Sequence, residues 1–327
     1  MRASGAKTSL KFAQEKVWKE AIDPADLGNI YGLNIRSTTL GGNKNQFQSE
    51  TINAYRAIVG LGDGNKAVEG NIVTDFLPEG MEVLLRHLLG KGNVTSTGSG
   101  PYTHQFKGGA DTMQGLMIQK AFTSIDEYFI YRGCRINTMG INVVQEGFHD
   151  VTWDIIGTSE SIEATDQLNA TPAIWPTKSG YTGYQAKVQT NLYGSWVDAG
   201  NVISGNLNIT NNVETDGYVL GSDERAAAEH GTRECSGGWS MFFEDTSLYQ
   251  LYQSGVETGL RWIFDNGVDS IIFEFPKVKM GGESPSIESS AGVNLNLTFQ
   301  ARLDQDEETD VKVTIVNSLP EIEEEPI

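Results

Sequence analysis

Residues 127–157 read EYFIYRGCRINTMGINVVQEGFHDVTWDIIG, and this stretch decides the fold. Aromatic and β-branched residues dominate it, and Glu146-Gly147 supplies a turn through which extended segments fold back. From Phe148 to Ile155 the side chains divide by twos. His149, Val151, Trp153 and Ile155 fall on one face, and Asp150, Thr152 and Asp154 on the other. One face is therefore expected to be buried and the other wet, which specifies a β architecture and no chemistry.

Working outward, the same logic recurs. Val293 to Gln300 alternates as cleanly, with Asn294, Asn296, Thr298 and Gln300 on the polar face. The stretch 70–76 reads as a strand running into a helix whose apolar stripe is Met81, Leu84, Leu85, Leu88 and Leu89, stopped by Gly90. A second, poorer helix is expected over 246–254, capped by Asp245 or Thr246 and stopped by Gly255. Strands are expected at 33–39, 102–106, 116–122, 205–210, 235–243, 270–279 and 311–316. Residues 11–21 read as a short helix ended by Asp23-Pro24, and 41–69 as a long glycine- and asparagine-rich loop.

The order of these pieces repeats. Gly205-Asn206-Leu207-Asn208-Ile209 echoes Gly32-Leu33-Asn34-Ile35, and 235–243 echoes 68–76, each latter strand leading to a helix and then to several strands. An internal duplication follows. Its parts are an N-terminal arm, 1–30; a first unit, 31–160; a connector, 161–183; a second unit, 184–318; and an acidic tail, 319–327.

Composition bounds what such a chain does. Its 327 residues, 39% hydrophobic, suffice for a sizeable core. No apolar run approaches the roughly 18 residues of a membrane span, and the first residues carry no apolar signal core, so no membrane partner and no export by signal peptide are expected. Cys134 and Cys235 each fall in a strand pattern and read as buried free thiols. Lys plus Arg number 24 against 43 Asp plus Glu, a net charge of -19, which disfavours attraction to nucleic acid or anionic membrane.

Chemistry-bearing patterns are thin. Gly60-Leu61-Gly62-Asp63-Gly64-Asn65-Lys66 lacks the spacing of a phosphate loop, and Asp304, Asp306, Glu308 and Asp310 lack the glycine of a calcium loop. His87, His104, His149 and His230 are scattered one per element, with no metal or nucleophile motif among them. No catalytic residue, cofactor or metal site is assigned. Two alternatives stay open: a carbohydrate-binding β-sandwich using its six Trp and eleven Tyr, and a glycoside hydrolase whose paired carboxylates meet only in space.

Taken in order, these pieces resemble the bacteriophage tail tube protein family. The resemblance rests on Ser49-Glu50-Thr51-Ile52 to Arg56 after a long loop, and on Gly70-Asn71-Ile72 leading to the leucine-rich helix and Gly90. It rests also on Tyr131-Arg132-Gly133-Cys134-Arg135-Ile136 before the Gly147 turn, and on the Asn211-Asn212 to Gly221-Ser222 loop before 235–243. The resemblance implies a mainly β fold, a tail-tube-like β-barrel or sandwich with flanking helices, here with two duplicated tube units.

It also implies homo-oligomeric rings stacked into a tube in the virion tail, assembled in the host cytoplasm and ejecting the genome. Viral DNA would pass without specific binding. Other tail proteins would complete the structure: sheath or terminator, and baseplate or tip. A related tube component of a contractile injection system would share the fold. Asp150, Thr152, Asp154, Asn294, Asn296, Thr298 and Gln300 become lumen candidates, and Gly41, Asn45, Phe47, Ser49, Glu50 and Arg56 candidates for contact with the adjacent ring. An acidic lumen suits DNA passage, since one charge pair about 10 Å apart in water is worth only about 0.4 kcal/mol before screening. Two units per chain turn a six-unit ring into a trimer with pseudo-sixfold symmetry; without the duplication the ring is a hexamer.

Overall fold

The computed structural model describes residues 2–15, 17–19, 29–90, 92–95, 100–109, 115–169, 171–192, 194–287 and 292–320. The chain is mainly β, in antiparallel ladders. The first half contains β1 (Thr8–Gln14), β2 (Ile30–Leu33), β3 (Ser37–Thr38), β4 (Gly41–Gln48), β5 (Leu61–Asp75), α1 (Met81–Leu89), β6 (Gly92–Thr95), β7 (Tyr102–Lys107), β8 (Leu116–Phe122), β9 (Glu127–Val143), β10 (Asp150–Gly157) and β11 (Ser159–Glu163). The second contains β12 (Ala186–Leu192), β13 (Ser195–Asp198), β14 (Val202–Thr210), β15 (Glu234–Phe242), α2 (Ser247–Ser254), β16 (Thr258–Asp265), β17 (Ser270–Gly282), β18 (Asn294–Arg302) and β19 (Lys312–Asn317).

The opening stretch folds as its alternation demands. β9 and β10 pair through the Gly147 turn, whose φ of 95° suits glycine. Val151, Trp153 and Ile155 are at most 1% exposed, while Asp150, Thr152 and Asp154 keep partial access to solvent. Trp153 belongs to one continuous core that includes Phe76 and reaches Trp262, Phe264 and Phe273 in the other half. α1 is almost wholly buried, as its leucine stripe requires, and Gly90 ends it. α2 begins after Thr246, buries only Leu248 among its residues, and stops at Gly255 with φ 64°.

Strand pairing follows one order in both halves. β1–β2, β1–β8, β8–β9, β9–β10, β10–β5, β5–β3 and β9–β11 are matched by β12–β13, β12–β16, β16–β17, β17–β18, β18–β15, β15–β14 and β17–β19. The halves join where β14 pairs with β9, and again where β7 pairs with β19.

Two expectations need correction. Residues 8–14 form a strand in place of the start of a helix over 11–21, because Leu10 and Phe12 alternate into the core and β1 is gripped on both sides, by β2 and β8. Residues 16 and 20–28, with Asp23-Pro24, lie outside the described residues. The expected loop over 41–69 is instead a β-hairpin, β4 against the first part of β5, from Gly41↔Glu69 to Gln48↔Leu61 with an irregularity between Lys44 and Gln46. Both its faces are largely wet, so it carries no apolar alternation that a sequence pattern could register. Much of the tail, 321–327, also lies outside the described residues, as do 96–99 beyond strand β6.

Candidate functional site

The polar face begins with the register of the ladders. Directly opposed residues share a face, and three rungs cross the junction between the halves. One runs Asp75, Asp150, Asn142, Asn206, Gly238, Thr298, Gly281; the next Val73, Thr152, Gly140, Asn208, Ser236, Gln300, Lys279. A third runs Asn71, Asp154, Thr138, Thr210, Glu234. The lumen candidates of the two halves therefore belong to a single surface.

Asp150, Thr152 and Asp154 open on one shallow depression and Thr298 and Gln300 on the next, and Asn206 and Asn208 line both. Asn294, Asn296 and Thr298 line a third. Sequence reading missed Asn71, Thr138, Asn142, Asn206, Asn208, Ser236 and Lys279. The alternation of Asn206 and Asn208 with buried Leu207 and Ile209 was a usable signal; the glycines and serine of the other strands gave none.

The face is built mainly of amides and hydroxyls. Its charges are partly balanced: Arg36 Nε lies 2.5 Å from Asp75, and its Nη1 lies 3.5 Å from Asp150. Asp154 accepts from Asn137 Nδ2 at 2.7 Å, and Thr138 Oγ1 donates to Thr210 Oγ1 at 3.2 Å across the junction.

The hairpin is the second surface. Gly41 starts its ladder, and Asn45 sits at the irregularity. The Phe47 ring lies over Gly64, where an added Cβ would come within 2.4 Å of it. The tip, 49–60, is closed by hydrogen bonds: Ser49 N–H donates to Gly60 O at 2.9 Å, and Asn53 Oδ1 accepts from Tyr55 N–H at 2.8 Å. Glu50 is exposed, and Arg56 takes φ 53° within this turn. The tip nevertheless presents Ile52 at 97% and Tyr55 at 90% exposure, beside exposed Phe47, Ile58, Val59 and Leu61. Exposed apolar patches of this kind are in general a mark of interaction surfaces.

The second half leaves the equivalent strand differently. Its loop 211–233 folds down onto the hairpin base, where Lys66 pairs with Asp223 at 3.0 Å and Tyr218 Oη donates to Lys66 O at 2.8 Å. Arg225, 1% exposed, donates to the carbonyls of Thr215 and Gly157 and lies over the Tyr218 ring. Arg135 donates to Ala228 O at 2.6 Å, and its contact with His230 Nδ1 makes that nitrogen an acceptor. Burial, then the adjacent Arg135 charge, pushes the His230 pKa down to about 4.

Groups with reactive chemistry are dispersed. Cys134 and Cys235 are buried and unbridged, and burial pushes both thiols up, away from the nucleophilic thiolate. Among the described residues no three His, Cys, Asp or Glu stand where they could hold a metal ion, and no helix is long and apolar enough to cross a membrane. Asp304, largely buried, accepts from the backbone N–H of Asp306 at 2.8 Å and pairs with Lys277.

A mainly β chain with one polar sheet face shared by two halves and a protruding apolar-tipped hairpin belongs to the class of structural assembly proteins. More particularly, this chain belongs to the phage tail tube protein family, which its sequence matches over residues 5–301. Comparison with curated proteins returns no match. Its general role is thus structural, as a component of the virion tail within a stacked oligomeric assembly.

Proposed function

We propose that the chain is the ring-forming subunit of a tail tube and that it supplies two tube units, β1–β5 with β8–β11 and β12–β19, so that three chains close a ring of approximate sixfold symmetry. The observation that carries this reading is the polar face, which crosses the junction of the halves, where β14 pairs with β9 without a break in register. The seven recurring pairings support the division into two units, each near the usual size of a domain.

In this reading Asp150, Thr152, Asp154, Asn294, Asn296, Thr298 and Gln300 line the lumen together with Asn206 and Asn208. The lumen is polar and mildly acidic, since Asp150 shares Arg36 with Asp75 and Lys279 stands on the second half. Duplex DNA then slides past amides and hydroxyls with weak repulsion and no bidentate grip on phosphate. The hairpin reaches the adjacent ring, and its apolar tip becomes buried there. Assembly occurs in the host cytoplasm, and sheath or terminator and baseplate or tip proteins bind the tube's ends and outer wall.

Electron microscopy of the purified protein tests the reading, with rings or tubes as the expected result. Native mass spectrometry of isolated rings should give three chains; a six-chain ring would sink the two-unit arithmetic. Asp150→Lys with Asp154→Lys should leave tubes intact and slow DNA ejection.

A further inference from the structure

The two halves of the polar face differ in what their side chains already hold. On the first half the carboxylates are paired. Asp75 and Asp150 share Arg36, Asn142 Nδ2 donates to Asp150 at 3.3 Å, and Asn137 Nδ2 donates to Asp154 at 2.7 Å. On the second half Asn206, Asn208, Ser236, Lys279, Thr298 and Gln300 surround one depression. None of these six side chains makes a hydrogen bond or an ion pair with another of the described residues.

Register turns four of them into a row. Asn208, Ser236, Gln300 and Lys279 stand directly opposite one another on the successive strands β14, β15, β18 and β17. Their side chains therefore leave the same face, one strand spacing of about 5 Å apart. The adjoining rung has Gly238 between Asn206 and Thr298, and Gly281 beyond Thr298, so no bulk crowds the row.

The amides of Asn208 and Gln300 and the hydroxyl of Ser236 each bring a donor, and Lys279 brings three on a flexible stem. Lys279 and Gln300 are exposed, and the row itself holds no carboxylate. A concave row of unengaged donors ending in one cation fits an anion with several oxygens. A neutral polar ligand would leave the charge of Lys279 unused, and a cation would be repelled by it.

We propose that this row is a phosphate-contact site for DNA in transit: Lys279 reaches a phosphodiester oxygen, and Gln300, Ser236 and Asn208 donate to the oxygens beside it. The inference rests on the lumen reading above. It touches no base edge, so the contact is blind to sequence. It is also brief, because one lysine per row neutralises about one phosphate, and Glu234, two residues from Ser236 on β15, keeps the surroundings acidic. In a three-chain ring, three such rows alternate with three stretches whose carboxylates are already paired, which gives the lumen threefold chemistry.

Lys279→Gln removes the charge at an exposed position. Virions carrying it should eject DNA several-fold faster than wild type at low ionic strength, and the two rates should converge as salt rises, because phosphate contacts weaken with salt. Lys279→Arg should keep the wild-type rate. Equal rates for wild type and Lys279→Gln at low salt would overturn the contact, as would an Arg variant that behaves like the Gln variant.

Lys279→Cys separates this inference from the lumen reading. The native thiols are buried, so the introduced one is the target for a maleimide. In assembled tubes it should react with a small maleimide and stay shielded from one carried on a polymer too large to enter. Shielding together with unchanged ejection by Lys279→Gln would overturn the contact and leave the lumen reading standing. Reaction with the polymer-borne reagent would put Lys279 on the outer wall and overturn both.

Discussion

The hairpin β4–β5 and the loop 211–233 leave equivalent strands of the two halves, yet one projects and the other is tied down. The hairpin keeps its shape by backbone pairing and offers its side chains outward, whereas the loop spends its polar groups on the body, through Arg225, Tyr218 and Asp223. The lesson is that positions matched by strand pairing in the two halves need not do equivalent work. In the three-chain ring proposed above, only three of six units would carry a free arm, and the other three would brace its base.

Removing the brace's anchor should have the largest effect on stability. Arg225→Ala leaves the carbonyls of Gly157 and Thr215 without their donor, and the loss at Gly157, which is buried, costs about 1–3 kcal/mol. Chemical denaturation should show a lower midpoint with an unchanged slope. A variant as stable as wild type would mean that the loop is held elsewhere.

Gly70→Ala comes next. Gly70 sits where the hairpin enters the body, with φ 144°, and an added Cβ would come within 2.6 Å of Thr39 O. The left-handed backbone alone costs about 1–3 kcal/mol for another residue, and thermal unfolding should record the loss. Little change would show that β3 and β4 shift freely against β5.

Acid should loosen the brace and leave the hairpin ladder intact. His230 has its folded pKa depressed to about 4 against an ordinary value of 6.5, so the unfolded chain binds the proton first. Stability contributed by neutral His230 is therefore present above about 6.5 and is lost as pH falls from there toward 4. Hydrogen exchange in 211–233 should rise over that window, and His230→Gln should flatten the dependence.

The smallest effect on stability belongs to Lys66→Ala. Lys66 and Asp223 are exposed enough that their pairing should leave the unfolding midpoint where it is. If the brace aims the hairpin, the same variant should still broaden the range of hairpin directions seen in particle images of the tubes.

Several features were legible without coordinates. Alternation at 148–155 and 293–300 placed Trp153 and Leu297 inside and their polar neighbours outside, and the leucine spacing with Gly90 fixed α1. The hairpin was not legible, because a ladder exposed on both faces has no apolar period. Nor was β1, where Lys11 and Gln14 fit a helix as well as a strand until β2 and β8 clasp it.

By itself the sequence determined which residues go inside, since burying apolar side chains follows from local period and composition. It also determined the family, through the order of its pieces. Only the tertiary structure decided which polar residues share a surface. Asp150 and Thr298, 148 positions apart in sequence, join one rung through Asn142, Asn206 and Gly238 because β9 and β14 pair across the halves. Pairing between distant strands is set by the register of the whole sheet, and no local stretch of sequence contains it.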